Sequence, residues 1–145
     1  MARLAKSLRL LHLAAAGALL AAAPAFAGTD SIPCESSLQM RQVAQLLFGR
    51  NVADKARVTE ADWADFVAIE VSPRFPDGFT VVDATGQWRD ARRGSIVHEP
   101  SKLIEIVLPG GDDDRVKIEA IAEAYKRRFE QQSVGLIIGP ACVRF

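Results

Sequence analysis

Pro- and Gly-marked breaks divide the chain into segments whose hydrophobic periods follow the order β-α-β-β-α-β, and no other feature narrows its folds as far. Met40 to Phe48 reads as a first strand stopped by Gly49. Val58-Thr59-Glu60-Ala61-Asp62-Trp63 opens a helix, with Thr59 and Asp62 spaced for a capping box and Val58 placed to pack on Trp63. Trp63, Phe66, Val67 and Val71 share one face, and Ser72-Pro73 ends the segment. Phe79 to Asp83 is β-rich, with strand character expected to resume at Gln87-Trp88-Arg89 after a break at Thr85-Gly86. Asp90-Ala91-Arg92-Arg93-Gly94 forms a hairpin tip, and the returning strand runs from Ser95 to Leu108 with an expected interruption at Pro100. Ile118, Ile121, Ala122, Tyr125 and Phe129 make the apolar stripe of a second helix. Asp112 to Asp114 stand at its start and Lys126 to Arg128 at its end, as the helix dipole favours. Val134 to Ile138 and Ala141 to Phe145 complete a last strand, expected to kink at Gly139-Pro140.

This order predicts an α+β, ferredoxin-like fold: a four-stranded antiparallel sheet in spatial order 4-1-3-2, with both helices on one face and an extended hairpin between strands two and three. Strand one then begins beside the end of strand four. Cys34 precedes the first strand and Cys142 lies near the end of the last, so a Cys34–Cys142 disulfide is expected. Oxidised cysteines suit an exported protein.

Residues 1–27 read as a secretory signal: Arg3, Lys6 and Arg9 precede an apolar run from Leu10 to Ala23, and Ala25-Phe26-Ala27 offers small residues for cleavage before Gly28. The run is shorter than the roughly 20 residues that span a bilayer. No cysteine follows it directly, so a lipid anchor is not expected. The mature domain would be residues 28–145, exported to the periplasm or the extracellular space, with no membrane span. It keeps fifteen bases against eighteen acids, a mild negative balance that argues against nucleic acid as partner.

The run Phe75-Pro76-Asp77-Gly78-Phe79-Thr80-Val81-Val82-Asp83, continued by Gly86-Gln87-Trp88-Arg89 and by Glu99-x-Ser101-Lys102, resembles a family of small exported bacterial proteins catalogued as a domain of unknown function, number thirty-five seventy-four. Leu46-x-Phe48-Gly49 and Tyr125-Lys126-x-x-Phe129-x-Gln131-x-Ser133-Val134 extend the resemblance over most of the mature chain. It implies an exported context and assigns no activity, cofactor or catalytic residue.

Removal of the signal would leave His98 as the mature chain's one histidine, which argues against a serine triad or a His-based metal site. Phosphate-loop and dinucleotide fingerprints are missing from the sequence. Asp112 to Asp114 lack the spacing of a calcium loop and read as helix capping. No catalytic residue, metal or cofactor is therefore expected.

The remaining chemistry lies in the middle hairpin: Asp83, Gln87, Trp88, Arg89, His98, Glu99, Ser101 and Lys102. Pairing about a tip near Arg92 brings Trp88 and Arg89 opposite Ile96 to His98. Trp88 would supply an aromatic wall, with Arg89, His98, Glu99 and Lys102 as polar contacts of a binding site; the competing reading makes these groups cross-strand pairs around a buried Trp88. Both faces of the third strand are apolar, which predicts that the open sheet face is covered by the hairpin extension or by a second copy, giving a homodimer. The sequence points to an exported module that binds an unknown small ligand or protein without catalysis. The alternative is a small enzyme like the dimeric ferredoxin-like barrels, with a pocket on the open face.

Overall fold

The structure, a computed structural model, describes residues 33–51, 57–90 and 94–145. The expected export segment and the tip residues Arg92 and Arg93 lie outside the described residues. Strand β1 (Gln39–Gly49) is followed by α1 (Glu60–Phe66), which continues as a π-helical turn over Val67–Val71. Next come β2 (Thr80–Arg89), β3 (Ile96–Val107), α2 (Asp114–Phe129) and β4 (Gly135–Val143). All pairings are antiparallel and the spatial order is β2-β3-β1-β4, the ferredoxin-like arrangement the segment order predicts.

The start of α1 is written locally. Thr59 Oγ1 accepts from the Asp62 amide at 3.1 Å, and Asp62 Oδ2 accepts from the Thr59 amide at 3.0 Å, a complete capping box. The widened turn after Phe66 carries the Ser72 amide back to the Val67 carbonyl at 2.9 Å and keeps Val71 buried. On the sheet, Ala44, Leu46 and Phe48 alternate with solvent-side residues of β1, and Ile104 and Ile106 do so on β3. Phe48 meets Trp63 of α1 at 5.3 Å and Tyr125 of α2 at 4.7 Å between ring centroids, so both helices cover the same face. The stripe on α2 is buried at Ile118, Ile121, Ala124 and Tyr125, with Ala122 and Phe129 at its margin.

Two expected breaks are absent, and the last strand is continuous through the residues where a kink is expected. β2 runs unbroken through Thr85 and Gly86, because each residue keeps a partner on β3. β3 runs through Pro100, whose carbonyl accepts from the Arg50 amide at 3.0 Å where the last β1 pairing, Gly49 with Ser101, has already been made. The missing proline N–H therefore faces the side where β1 has ended, and pairing with β2 is untouched. β4 runs through Gly139 and Pro140, which an edge strand tolerates because one side of it needs no donor.

Cys34 and Cys142 form the expected disulfide, with Cα atoms 5.5 Å apart across a sequence separation of 108. No helix among the described residues is long and apolar enough to cross a membrane.

Candidate functional site

The hairpin residues singled out from the sequence divide between the two faces of β3. Lys102 lies in the buried row with Ile104 and Ile106, between Phe48 of β1 and Asp83 of β2. Its ammonium donates to Glu60 Oε2 at 2.8 Å and to Asp83 Oδ1, and stands 6.0 Å from the centroid of the Trp63 ring. Arg50, also buried, completes the group: Nη1 donates to Glu60 Oε1 at 2.5 Å, while Nε and Nη2 donate to the Val58 carbonyl at 2.9 and 2.5 Å. Two cations and two carboxylates thus close on one another. The Asp83 and Glu60 carboxylates hold the Lys102 pKa above its ordinary value, and Lys102 and Arg50 hold Glu60 below the usual carboxylate value. An amine kept protonated in this way is a structural cation and a poor nucleophile.

The second group lies at the hairpin end of the open face. Glu99 is half-buried, and its carboxylate accepts from Trp88 Nε1 at 2.8 Å on Oε1 and from the Asn51 amide at 3.2 Å on Oε2. Among the described residues no cation reaches it within ion-pair distance. Gly49 makes this position possible, since a Cβ there would stand 2.6 to 2.8 Å from the Glu99 carboxyl atoms. Gly86, opposite Glu99, likewise leaves room for Ser101 Oγ, which would lie 2.8 Å from an added Cβ. The floor is tied to the core. The Tyr125 hydroxyl donates to the Gly49 carbonyl at 2.9 Å and Gln131 Nε2 donates to the Asn51 carbonyl at 2.7 Å. Burial pushes the Tyr125 phenol well above its ordinary pKa, so it stays a neutral donor.

Trp88 is 39% exposed. The reading of a buried anchor therefore fails: β2 is an edge strand, and at Trp88 it pairs with β3 beyond the point where the β1 pairing has ended. Arg89 donates to the Gly94 carbonyl at 3.0 Å, within the hairpin. His98 is exposed opposite Gln87, and its backbone carbonyl accepts from Asn51 Nδ2 at 3.5 Å. Of the five candidate contacts, the structure brings together Trp88 and Glu99 and assigns Lys102 to the internal charge cluster. Arg89 and His98 make no ion pair with Glu99.

Along the open face, Leu47, Val82 and Ile137 are exposed, and a shallow groove of about 350 Å³ runs over Val43, Val107, Ile137 and the pair Gln45–Glu105, whose side chains meet at 2.7 Å. Among the described residues no cluster of three or more metal-ligating side chains occurs. Asp114 Oδ2 accepts from the Gly110 and Gly111 amides at 2.8 and 3.0 Å and Asp113 pairs with Lys117 at 3.0 Å, so Asp114 closes the turn before α2, while the N-cap Asp113 makes no side-chain capping bond of the kind the sequence suggests.

Gly49, Asn51 and Gln131 are parts of the open-face site that hairpin pairing could not supply; the motif runs containing Gly49 and Gln131 were the available signal.

No curated protein matches the chain. Among solved structures, a phage SAM lyase in complex with S-methyl-5′-thioadenosine is 24% identical, covers 79% of this chain and 95% of its own, and superposes with a TM-score of 0.56. The same kind of phage enzyme in its apo state gives 24% identity, 77% and 87% coverage and a TM-score of 0.57. CutA from Synechococcus elongatus is 8% identical, with 75% and 81% coverage and a TM-score of 0.46. The phage structures are similar in fold. The family model described as "Protein of unknown function (DUF3574)" matches residues 43–145, which is most of the chain and nearly all of its described part, and the chain belongs to that family.

Proposed function

We propose that residues 28–145 form one exported domain that binds a small organic ligand at the hairpin end of the open sheet face, between Trp88 and Glu99. The observation that carries this reading is the Glu99 carboxylate. It is preorganised by two N–H donors over a side-chain-free residue, makes no ion pair among the described residues, and lies beside a partly exposed indole. A carboxylate has about four acceptor sites, so two remain for O–H or N–H donors of a ligand while the indole offers an apolar face. S-Methyl-5′-thioadenosine, the molecule held by one phage structure, has this chemistry: a planar base next to a hydroxylated ring. It is the probe we would use.

In isothermal titration calorimetry with the oxidised mature domain, S-methyl-5′-thioadenosine should bind. Glu99→Gln should weaken binding roughly tenfold or more, the size of one charge-assisted hydrogen bond, while leaving the melting temperature nearly unchanged. Absent or Glu99-independent binding would remove the reading. Export itself is checked by intact mass: the periplasmic or secreted protein should begin at Gly28.

A second reading, a small enzyme, draws support from the exposed apolar open face and from the phage lyase's name. In it, two copies face one another across that sheet and enclose the pocket. Incubation with S-adenosylmethionine followed by chromatography of the products tests catalysis. A Leu47→Arg substitution should separate such face-to-face copies.

A further inference from the structure

The two edges of the sheet are built differently. β4 carries Pro140 within its length and is tied down by the disulfide at Cys142. Both features discourage another strand from pairing with it. β2 lacks most of the usual protections: it is ten residues long, contains no proline or lysine, keeps a one-to-one register with β3 from Thr80 to Arg89, and carries only Asp83 and Arg89 as charges. Nine of its ten residues are exposed, so its outer main-chain groups are open to a new strand.

The sequence of β2 is also complementary to itself. We infer that two copies of this chain associate through antiparallel pairing of their β2 strands about a twofold axis at Gly86, giving one continuous eight-stranded sheet. In that register Asp83 lies opposite Arg89 of the second copy, Thr85 opposite Gln87, and Ala84 opposite Trp88, each pair occurring twice. Centring one residue earlier puts Arg89 opposite Val81, and one later puts it opposite Thr85; only the Gly86 register matches both pairs of opposite charges. Asp83 is 80% exposed and gives Lys102 only its Oδ1, leaving Oδ2 for the incoming guanidinium. At the axis the two glycines present no side chains, so each indole can lie over the small Ala84 of the other copy. The twofold axis is perpendicular to the sheet, so both Trp88–Glu99 groups fall on the same face. The open face stays uncovered, which separates this assembly from one made face to face and leaves it independent of what the site binds.

Light scattering after size exclusion, on the oxidised mature protein, should give a dimer mass at micromolar concentration. Arg89→Glu sets like charges opposite one another twice and should weaken the dimer roughly tenfold or more, whereas Arg89→Lys should retain it. Leu47→Arg, on the open face, should leave the dimer intact. Register is read by Gly86→Cys in a Ser101→Ala background, which removes the hydroxyl that the new Cβ would meet. The two introduced thiols would face each other across the axis and form a reducible covalent dimer, and Thr85→Cys alone should not. A monomeric wild type, a dimer indifferent to Arg89→Glu, a dimer dissociated by Leu47→Arg, or cross-linking at position 85 in preference to 86 would each overturn the pairing.

Discussion

Glu99 and Lys102 are three residues apart on β3 and live in opposite electrostatic worlds. Lys102 faces the helices at 5% exposure, and its charge is answered by two carboxylates and by the edge of the aromatic core. Glu99 faces the open side, keeps part of its surface in water and, among the described residues, is answered by two N–H groups. The strand's two-residue period decides which is which. A charge turned toward a packed layer must be neutralised within the protein, since its desolvation costs several kcal/mol, whereas one turned toward solvent can remain unpaired and available. The difference separates a structural charge from a candidate binding charge more sharply than residue type does.

The largest expected consequence is in stability. Lys102→Ala removes a buried four-carbon stem from beside Trp63 and should destabilise the fold by about 2 to 4 kcal/mol in urea unfolding. Lys102→Met keeps the stem and leaves behind two mainly exposed carboxylates, so it should recover most of that loss. Glu99→Ala, on the other face, should cost no more than about 1 kcal/mol. Equal losses at 99 and 102 would break the comparison.

Next in size is the pH response of the cluster. Glu60 titrates below its ordinary value in the folded state, so its contribution is present above the unfolded-state pKa and lost as pH falls through the folded one. Lys102 titrates above its ordinary value, so its contribution is complete below the unfolded-state pKa and lost as pH rises through the folded one. The cluster should therefore support a stability plateau between the ordinary carboxylate and lysine values, falling on both sides. Glu60→Gln should flatten the acid limb of a melting-temperature profile.

Much of this organisation is legible in the sequence, and what is not has identifiable causes. The element order, the helix stripes and the cysteine pairing are carried by periods and by topology, which survive local irregularity. Lys102 could be placed on the helix side from its row with Ile104 and Ile106, but Glu60 and Arg50, which give it meaning, come from other elements and carry no matching signal. Thr85-Gly86 and Pro100 read as breaks, and Gly139-Pro140 as a kink, because glycine and proline are judged locally. In the folded chain, each position has a strand partner on at least one side, and that pairing overrides local preference. Counting back along the hairpin places Trp88 opposite Val97, and its contact with Glu99 is the diagonal one that long side chains add. Gly49 stands in a motif run, yet nothing in its chemistry marks it as a site residue, because its contribution is the side chain it lacks.

That residue gives the finest test. Gly49→Ala would place a Cβ 2.6 to 2.8 Å from the Glu99 carboxyl atoms, closer than any such contact can be, so the carboxylate must swing away. The displaced group is the end of a flexible side chain on the solvent side, and stability should fall by less than about 1 kcal/mol. The hydrogen bond from Trp88 Nε1 should nevertheless be lost. The protein has two tryptophans, so a nitrogen–proton correlation spectrum should show two indole signals. One, from Trp88, should shift and exchange faster with water in Gly49→Ala, while that of Trp63, packed in the core beside Phe48, should hardly move. Glu99→Gln should preserve the Trp88 signal more closely, because the amide oxygen can still accept the indole N–H. If Gly49→Ala left both indole signals unchanged, the bare backbone at position 49 would have no part in holding Glu99, and the preorganised carboxylate on which the binding reading depends would have to be explained without it.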